Sequence, residues 1–394
     1  YMRVDLRLTW ILMVDLIKQA EDLAPLLRET AREAEINRKP LDHVIEAIRR
    51  SGLFALMVPK KYGGFEADLD TFFDVVLTLS RADASMGWIT GFYIEHNLWV
   101  FNYAEEVCAN VLDGNDHVLA PAALNISSGQ AAKVEGGYVL NGQWEWGTGI
   151  VHGTWVLAGG LVLGAEKGPV PTFFLMPKSD VEPIDTWQVA GMCATGSWDF
   201  KIKDVFVPED HALPFQQFLD ATSGIGERFS GPLYRTPLMS VLGFAAGLPI
   251  LGAAQMALTE FSDQMRQKIE NNVLRAGSPL PDVSGVIGEA SLKIDAAELI
   301  FRDVMADVMK KRSAASNLER SHWLSRIAYA VYTCKEAVFQ ISEESGASGG
   351  FLSNPIQRAV RDISIASNHV IFSKASRYGE MGRAILKQDI VDTR

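Results

Sequence analysis

Residues 144–152 read Trp-Glu-Trp-Gly-Thr-Gly-Ile-Val-His, with Trp146 and Thr148 two positions apart. An indole and a hydroxyl so placed suit a planar heteroaromatic ring. The indole can cover one face while the hydroxyl reaches a nitrogen at the ring edge. The isoalloxazine of a flavin, with N5 on its edge, is such a ring. Far along the chain, Arg361-Asp-Ile-Ser-Ile-Ala-Ser-Asn-His369 holds an imidazole and no glutamate. An imidazole titrates near neutral pH, so His369 could take a proton from a phenol or an indole nitrogen and later return it. His96 lies in the apolar run Gly91-Phe-Tyr-Ile-Glu-His-Asn97. A buried imidazole there needs a partner, and its neighbours Glu95 and Asn97 project elsewhere on a helix. Either His96 faces His369 across a pocket, or it is a structural histidine bonded to a backbone carbonyl. Trp146 is likewise a stacking ring or a core aromatic. Trp88, Phe92 and Tyr93 either line the same pocket or pack the core.

Three kinds of segment must position these residues. Residues 15 to about 115 read as helices, with Val44, Ile45 and Ile48 at helical spacing and further helices over Asp70–Ser80 and Met86–Tyr103. The apolar run Leu8–Val14 starts an amphipathic helix; it is too short for a membrane span and lacks a cleavage site. Tyr at position 1 suggests that the natural chain extends upstream. From His117 to about Pro214 short strands are expected, with a Gly136-Gly137 hairpin turn, a second turn at Asn141-Gly142, and strands within Trp155–Ala158, Thr172–Met176 and Phe200–Val207. They suit a β-barrel or sandwich. From Pro237 on, helices return over about 238–272, 284–312, 317–345 and 355–388, a four-helix bundle. The expected class is α+β, mostly α, with domains at 1–115, 116–225 and 226–394.

The chain has 394 residues, of which 48% are hydrophobic and 22% charged, and a net charge of −11. This is a globular composition, and the acidic balance disfavours nucleic acid or an anionic membrane as partner. Cys108, Cys193 and Cys334 are odd in number and widely spaced. They offer neither a disulfide framework nor zinc spacing, and imply reduced thiols in a cytoplasmic protein. The seven histidines form no helical His-x-x-x-His pair, so no metal site is expected.

Leu53-Phe-Ala-Leu-Met-Val-Pro-Lys-Lys-Tyr-Gly-Gly64 in the first helical segment, Asn141-Gly-Gln-Trp-Glu-Trp-Gly-Thr148 in the β segment and Asp204-Val-Phe-Val-Pro208 at its exit follow one another in a chain ordered helical, β, helical. In this order the chain resembles the acyl-CoA dehydrogenase superfamily over nearly its full length. It looks most like the oxygenase halves of two-component, flavin-dependent aromatic monooxygenases. The residues that carry this are Trp144–Thr148 with His152, Gly191-Met-Cys-Ala-Thr-Gly-Ser197, and Asn354-Pro-Ile-Gln-Arg358 through Arg361 to His369. Cys193 stands where the family often has arginine. The resemblance implies a reduced FAD or FMN with O₂ as co-substrate and Thr148 at flavin N5. Oxygen is held as a hydroperoxide at C4a, and an indole or phenol, indole first, is hydroxylated. It gives His369, alone or with His96, the activation of the ring. Trp88, Phe92 and His96 fall to the substrate, and Trp146, Thr195, Ser197 and Arg358 to the cofactor. Arg358 and Arg361 are cofactor-phosphate or structural ion-pair residues, or simply solvated charges. With no Gly-x-Gly-x-x-Gly fingerprint for a nicotinamide, reduced flavin must come from a separate reductase. A homotetramer is implied. The alternatives are an acyl-CoA dehydrogenase or oxidase, which needs a glutamate over the flavin (Glu260, Glu343 and Glu344 exist, but none falls in the expected place), and a non-catalytic flavin-binding subunit.

Overall fold

The computed structural model describes residues 6–164, 168–219, 223–271 and 283–386. Five helices come first: α1 (Leu6–Asn37), α2 (Asp42–Arg50), α3 (Leu69–Ala82), α4 (Ala84–Val100) and α5 (Glu105–Leu112). Val44, Ile45 and Ile48 form the buried face of α2. The apolar helix α4 is buried at all 17 positions, as expected of a helix without a polar face. Asp83 starts it, its carboxylate accepting from Met86 N at 3.0 Å.

Eight strands follow: β1 (Ala122–Ala123), β2 (Gly129–Val134), β3 (Gly137–Gly147), β4 (Trp155–Leu163), β5 (Val170–Pro177), β6 (Glu182–Ile184), β7 (Trp198–Pro208) and β8 (Ala212–Pro214). They make one sheet in the order β6-β7-β3-β2-β4-β5-β8, with β1 beside β4. Trp144 is wholly buried on it, stacked on Phe200 with ring centroids 5.4 Å apart and donating to Gly159 O at 2.8 Å. Two turn expectations are corrected. Val134 pairs with Gly137, so the hairpin turn is Glu135-Gly136, with Gly136 at φ +77°. Asn141-Gly142 is not a turn but an irregularity inside β3, where Asn141 Oδ1 accepts from Asp204 N.

The chain closes with the short α6 (Phe215–Leu219) and α7 (Ile225–Arg228), then α8 (Leu238–Glu270), α9 (Val283–Lys311), α10 (Asn317–Glu344), α11 (Pro355–Ala366) and α12 (Lys374–Ile385). Helix α8 is the hub and packs on α3, α4, α10 and α11. It is long and apolar enough to cross a membrane, yet 83% of its most apolar window is buried within the fold. The single last helix expected over 355–388 is instead two. Ser367 ends α11, His369 caps a 3-10 turn over Val370–Phe372, and the Ser373 hydroxyl accepts from Ser376 N at the start of α12. Arg377 Nε donates to Ile371 O at 2.8 Å and Lys335 Nζ to Ser367 Oγ at 3.0 Å, which holds the break in place.

Candidate active site

The turn after β3 shapes the site. Between the pairs Trp144–Phe200 and Gly147–Trp198, two residues of β3 oppose one of β7. This bulge throws Trp146 outward, at φ +67° and 63% exposed. Trp146 is therefore no core aromatic, and its indole lies open beside Thr148. Tyr93 on α4 ties down the turn by donating to Gly149 O.

Thr148 heads a chain of hydroxyls whose direction can be deduced. Trp88 Nε1 lies 3.3 Å from Thr148 Oγ1. Thr148 Oγ1 lies 2.9 Å from Ser197 Oγ, which is 2.8 Å from Thr195 Oγ1, which is 2.9 Å from Met192 O. A carbonyl only accepts and an indole N–H only donates. The Thr195 proton therefore goes to Met192 O, the Ser197 proton to Thr195, and the Thr148 proton to Ser197. Thr148 receives from Trp88, so its oxygen keeps one lone pair free to accept from an N–H group. Thr195 and Ser197 are buried and spent within the chain. They orient Thr148, and their hydroxyl protons are taken up within the chain.

The loop carrying Thr195 and Ser197 is fastened to α11. A Cβ on Gly191 would meet Arg361 O at 2.1 Å, so only glycine permits this approach. Asp362 Oδ1 accepts from Met192 N at 2.5 Å, and Arg361 donates to Ala190 O at 2.8 Å while pairing with Glu35. Arg361 is thus a structural ion-pair residue. Arg358 is half-buried and makes no hydrogen bond or ion pair among the described residues, though its charge is felt at Asp83 and Asp362. Desolvation, only partly offset by the Met192 N–H and the arginines, pushes Asp362 up to about 7. Cys193 is buried with its thiol toward Val189 O and supplies none of the charge an arginine would. His152 lies apart, 2.8 Å from Asp42, linking the turn to α2.

The other wall is a row of rings along α4. Trp88 and Phe92 are 4.9 Å apart, Phe92 and His96 5.5 Å, and His96 and Trp99 5.2 Å. His369 packs on Trp88 at 5.7 Å and on Phe92 at 6.3 Å. The two imidazoles therefore flank Phe92 rather than meeting. His369 lies not on a helix face but at the break between α11 and α12.

Their tautomers are opposite. His96 Nδ1 is 2.7 Å from Ala120 O, so it carries the proton and leaves Nε2 as the basic atom. His369 Nδ1 accepts from Ile371 N at 3.3 Å, so its proton sits on Nε2. Desolvation pushes both imidazoles down to about 4. His96 is 2% exposed, so no water offsets that shift. His369 keeps partial exposure, so water moderates its shift until the pocket is filled. At neutral pH the pair offers one acceptor and one donor, both uncharged.

Sequence reasoning missed Trp88 as Thr148's donor and Asp362 as the loop's anchor, since both act across the fold. Glu343 and Glu344 are exposed at the end of α10, and Glu260 is half-buried on α8. Among the described residues, none of these carboxylates is hydrogen-bonded or ion-paired to Thr148, His96 or His369.

Comparison with known proteins agrees with this architecture. Residues 19–104 match the family model described as the acyl-CoA dehydrogenase N-terminal domain, and residues 244–374 the C-terminal domain. The chain is 31% identical to a pigment production hydroxylase of a Rhodococcus species, over 97% of this chain and 99% of the relative. It is 32% identical to the oxygenase component of an FADH2-dependent resorcinol hydroxylase of a Rhizobium species, over 91% and 90%. The crystal structure of a 3-HSA hydroxylase from a Rhodococcus species matches with a TM-score of 0.90 at 27% identity, covering 96% of this chain and 98% of that one. The chain belongs to the acyl-CoA dehydrogenase superfamily, in its branch of flavin-dependent aromatic hydroxylases.

Proposed function

We infer that the chain is the oxygenase component of a two-component monooxygenase that uses reduced flavin and O₂ to hydroxylate a small aromatic ring. The observation that carries this reading is the open lone pair of Thr148 Oγ1 at the head of its hydroxyl chain. A reduced flavin bears a proton on N5, so an acceptor suits it; an oxidised flavin presents a lone pair there and gains nothing. The bound flavin supplies the activation of O₂. Trp146 offers an indole face to the ring, and Arg358 a free cation to a phosphate. We propose FAD, in line with the name of the resorcinol hydroxylase relative, delivered by a separate reductase.

On the substrate side, His96 Nε2 accepts a hydrogen bond from a phenol O–H or indole N–H, and His369 Nε2–H donates to the same group. The acceptor is thus His96, and His369 the donor. A phenol oxygen can use both contacts and an indole nitrogen only the first, so we place phenols ahead of indoles. Trp88 and Phe92 form apolar walls that exclude water. Three buried free thiols fit a cytoplasmic enzyme. A homotetramer is part of the proposal. It is supported by apolar surface on α10 and α12, where Tyr329 and Ile385 are exposed around a cleft of ≈ 520 Å³; sedimentation tests it.

The reaction is tested by supplying reduced FAD, air and a phenol such as resorcinol. Hydroxylated product supports the proposal. Peroxide alone, or anaerobic reduction of bound flavin by an acyl-CoA, overturns it.

A further inference from the structure

Glu95 is the one acidic residue of α4 and is wholly buried. Its Oε1 accepts from Trp99 Nε1 at 3.0 Å, while Oε2 has no hydrogen-bond partner among the described residues. Helical spacing puts residues 88, 92, 95, 96 and 99 on one stripe. Glu95 therefore shares the face of the aromatic row that starts at Trp88 and Thr148, and its partner Trp99 packs on His96 at 5.2 Å. At a rise of 1.5 Å per residue, Glu95 lies about 10 Å along the helix from Trp88. Among the described residues no cation pairs with it, and desolvation pushes it well above the usual carboxylate range, so the carboxyl stays protonated. With Oε1 occupied by the indole N–H, the acid proton sits on Oε2 and has nothing to donate to. A buried donor left unmatched is costly, and a ligand that matches it is favoured accordingly.

We propose that Glu95 Oε2–H donates a hydrogen bond to an oxygen acceptor at the far end of the substrate. The substrate is then a phenol that carries, away from the hydroxyl held by His96, a carbonyl or ether oxygen. This rests on reading the α4 stripe as the substrate wall, and it assigns Glu95 to selectivity, not to proton transfer at the reacting carbon.

The test compares two ligands on the flavin-loaded protein by calorimetry: a hydroxytetralone, which is a bicyclic phenol with a ring ketone, and the ketone-free hydroxytetralin. Wild type should bind the ketone about tenfold more tightly. Glu95→Gln, whose amide N–H replaces the acid O–H, should keep most of that preference. Glu95→Leu should lose it while binding the ketone-free phenol within about twofold of wild type, with melting curves confirming the fold. The proposal is overturned if wild type shows no ketone preference, if the preference survives in Glu95→Leu, or if Glu95→Gln loses it as fully as the leucine variant. Because binding is the readout, the result stands apart from turnover. Intact preference without hydroxylation would sink the proposed reaction and leave Glu95 its role.

Discussion

Trp88 Nε1 donates to Thr148 Oγ1 across 3.3 Å, joining the ring-lined face of α4 to the turn after β3. The same indole packs on His369 at 5.7 Å. One side chain thus touches the hydroxyl proposed to meet the flavin and the imidazole proposed to meet the substrate. Neither can shift without moving Trp88.

Thr148→Val removes the acceptor and keeps the shape. The proposed N5–H contact is then lost, at roughly 1–1.5 kcal/mol for an ordinary hydrogen bond. The ratio of hydroxylated product to peroxide should fall about tenfold, while Thr148→Ser should stay within about threefold of wild type. Product and peroxide assayed from the same single-turnover mixture check this.

Ser197→Ala acts through direction instead of contact. It frees the Thr148 proton, which can then point at a lone pair on the flavin. Affinity for oxidised flavin should rise relative to reduced flavin, by roughly threefold to tenfold. Titration of both redox states, the reduced one under nitrogen, gives the ratio. An unchanged ratio contradicts the directional chain.

His96 is neutral in the folded protein because burial pushes it down to about 4. Between about pH 6.5 and pH 4 the unfolded chain binds a proton that the native site refuses, so stability falls as pH falls through this window. The loss is complete below pH 4, at ~3 kcal/mol. His96→Gln should therefore lose less stability than wild type between pH 7 and pH 4 in urea titrations. His369 contributes with the same sign and more weakly, since water reaches it.

The parts legible in the sequence were those written in local pattern. The apolar run around His96 announced a buried helix, and Trp146-x-Thr148 marked the turn that carries the site. Illegible were features set by partners distant in the chain. Nothing near Thr148 names Trp88, sixty residues earlier, as its donor, and nothing near Gly191 names Asp362. The two imidazoles looked equivalent until the fold gave one a carbonyl and the other a backbone N–H. The break at Ser367–Ser373 was readable in hindsight, since Ser-Asn-His and Ser-Lys are capping sequences. An unbroken apolar pattern on either side masked them.

Asp362 responds to pH in the opposite sense. Its native carboxyl titrates near 7, against about 3.9 when unfolded. As pH rises from 4 to 7 the unfolded chain releases a proton that the native site retains, and stability is lost. Asp362→Asn keeps an oxygen for Met192 N and removes the ionisation. It should match wild type near pH 4 and exceed it by ~2–4 kcal/mol at pH 8. Denaturant midpoints at the two pH values decide the point.

The most direct measurement mixes photoreduced FAD, the protein and a phenol under nitrogen, then admits air and counts hydroxylated product against peroxide. The account predicts that most reducing equivalents appear in the hydroxylated ring. It also predicts that His369→Ala binds flavin normally and shifts the balance to peroxide. Peroxide as the sole product of wild type, or normal hydroxylation by the alanine variant, would contradict it.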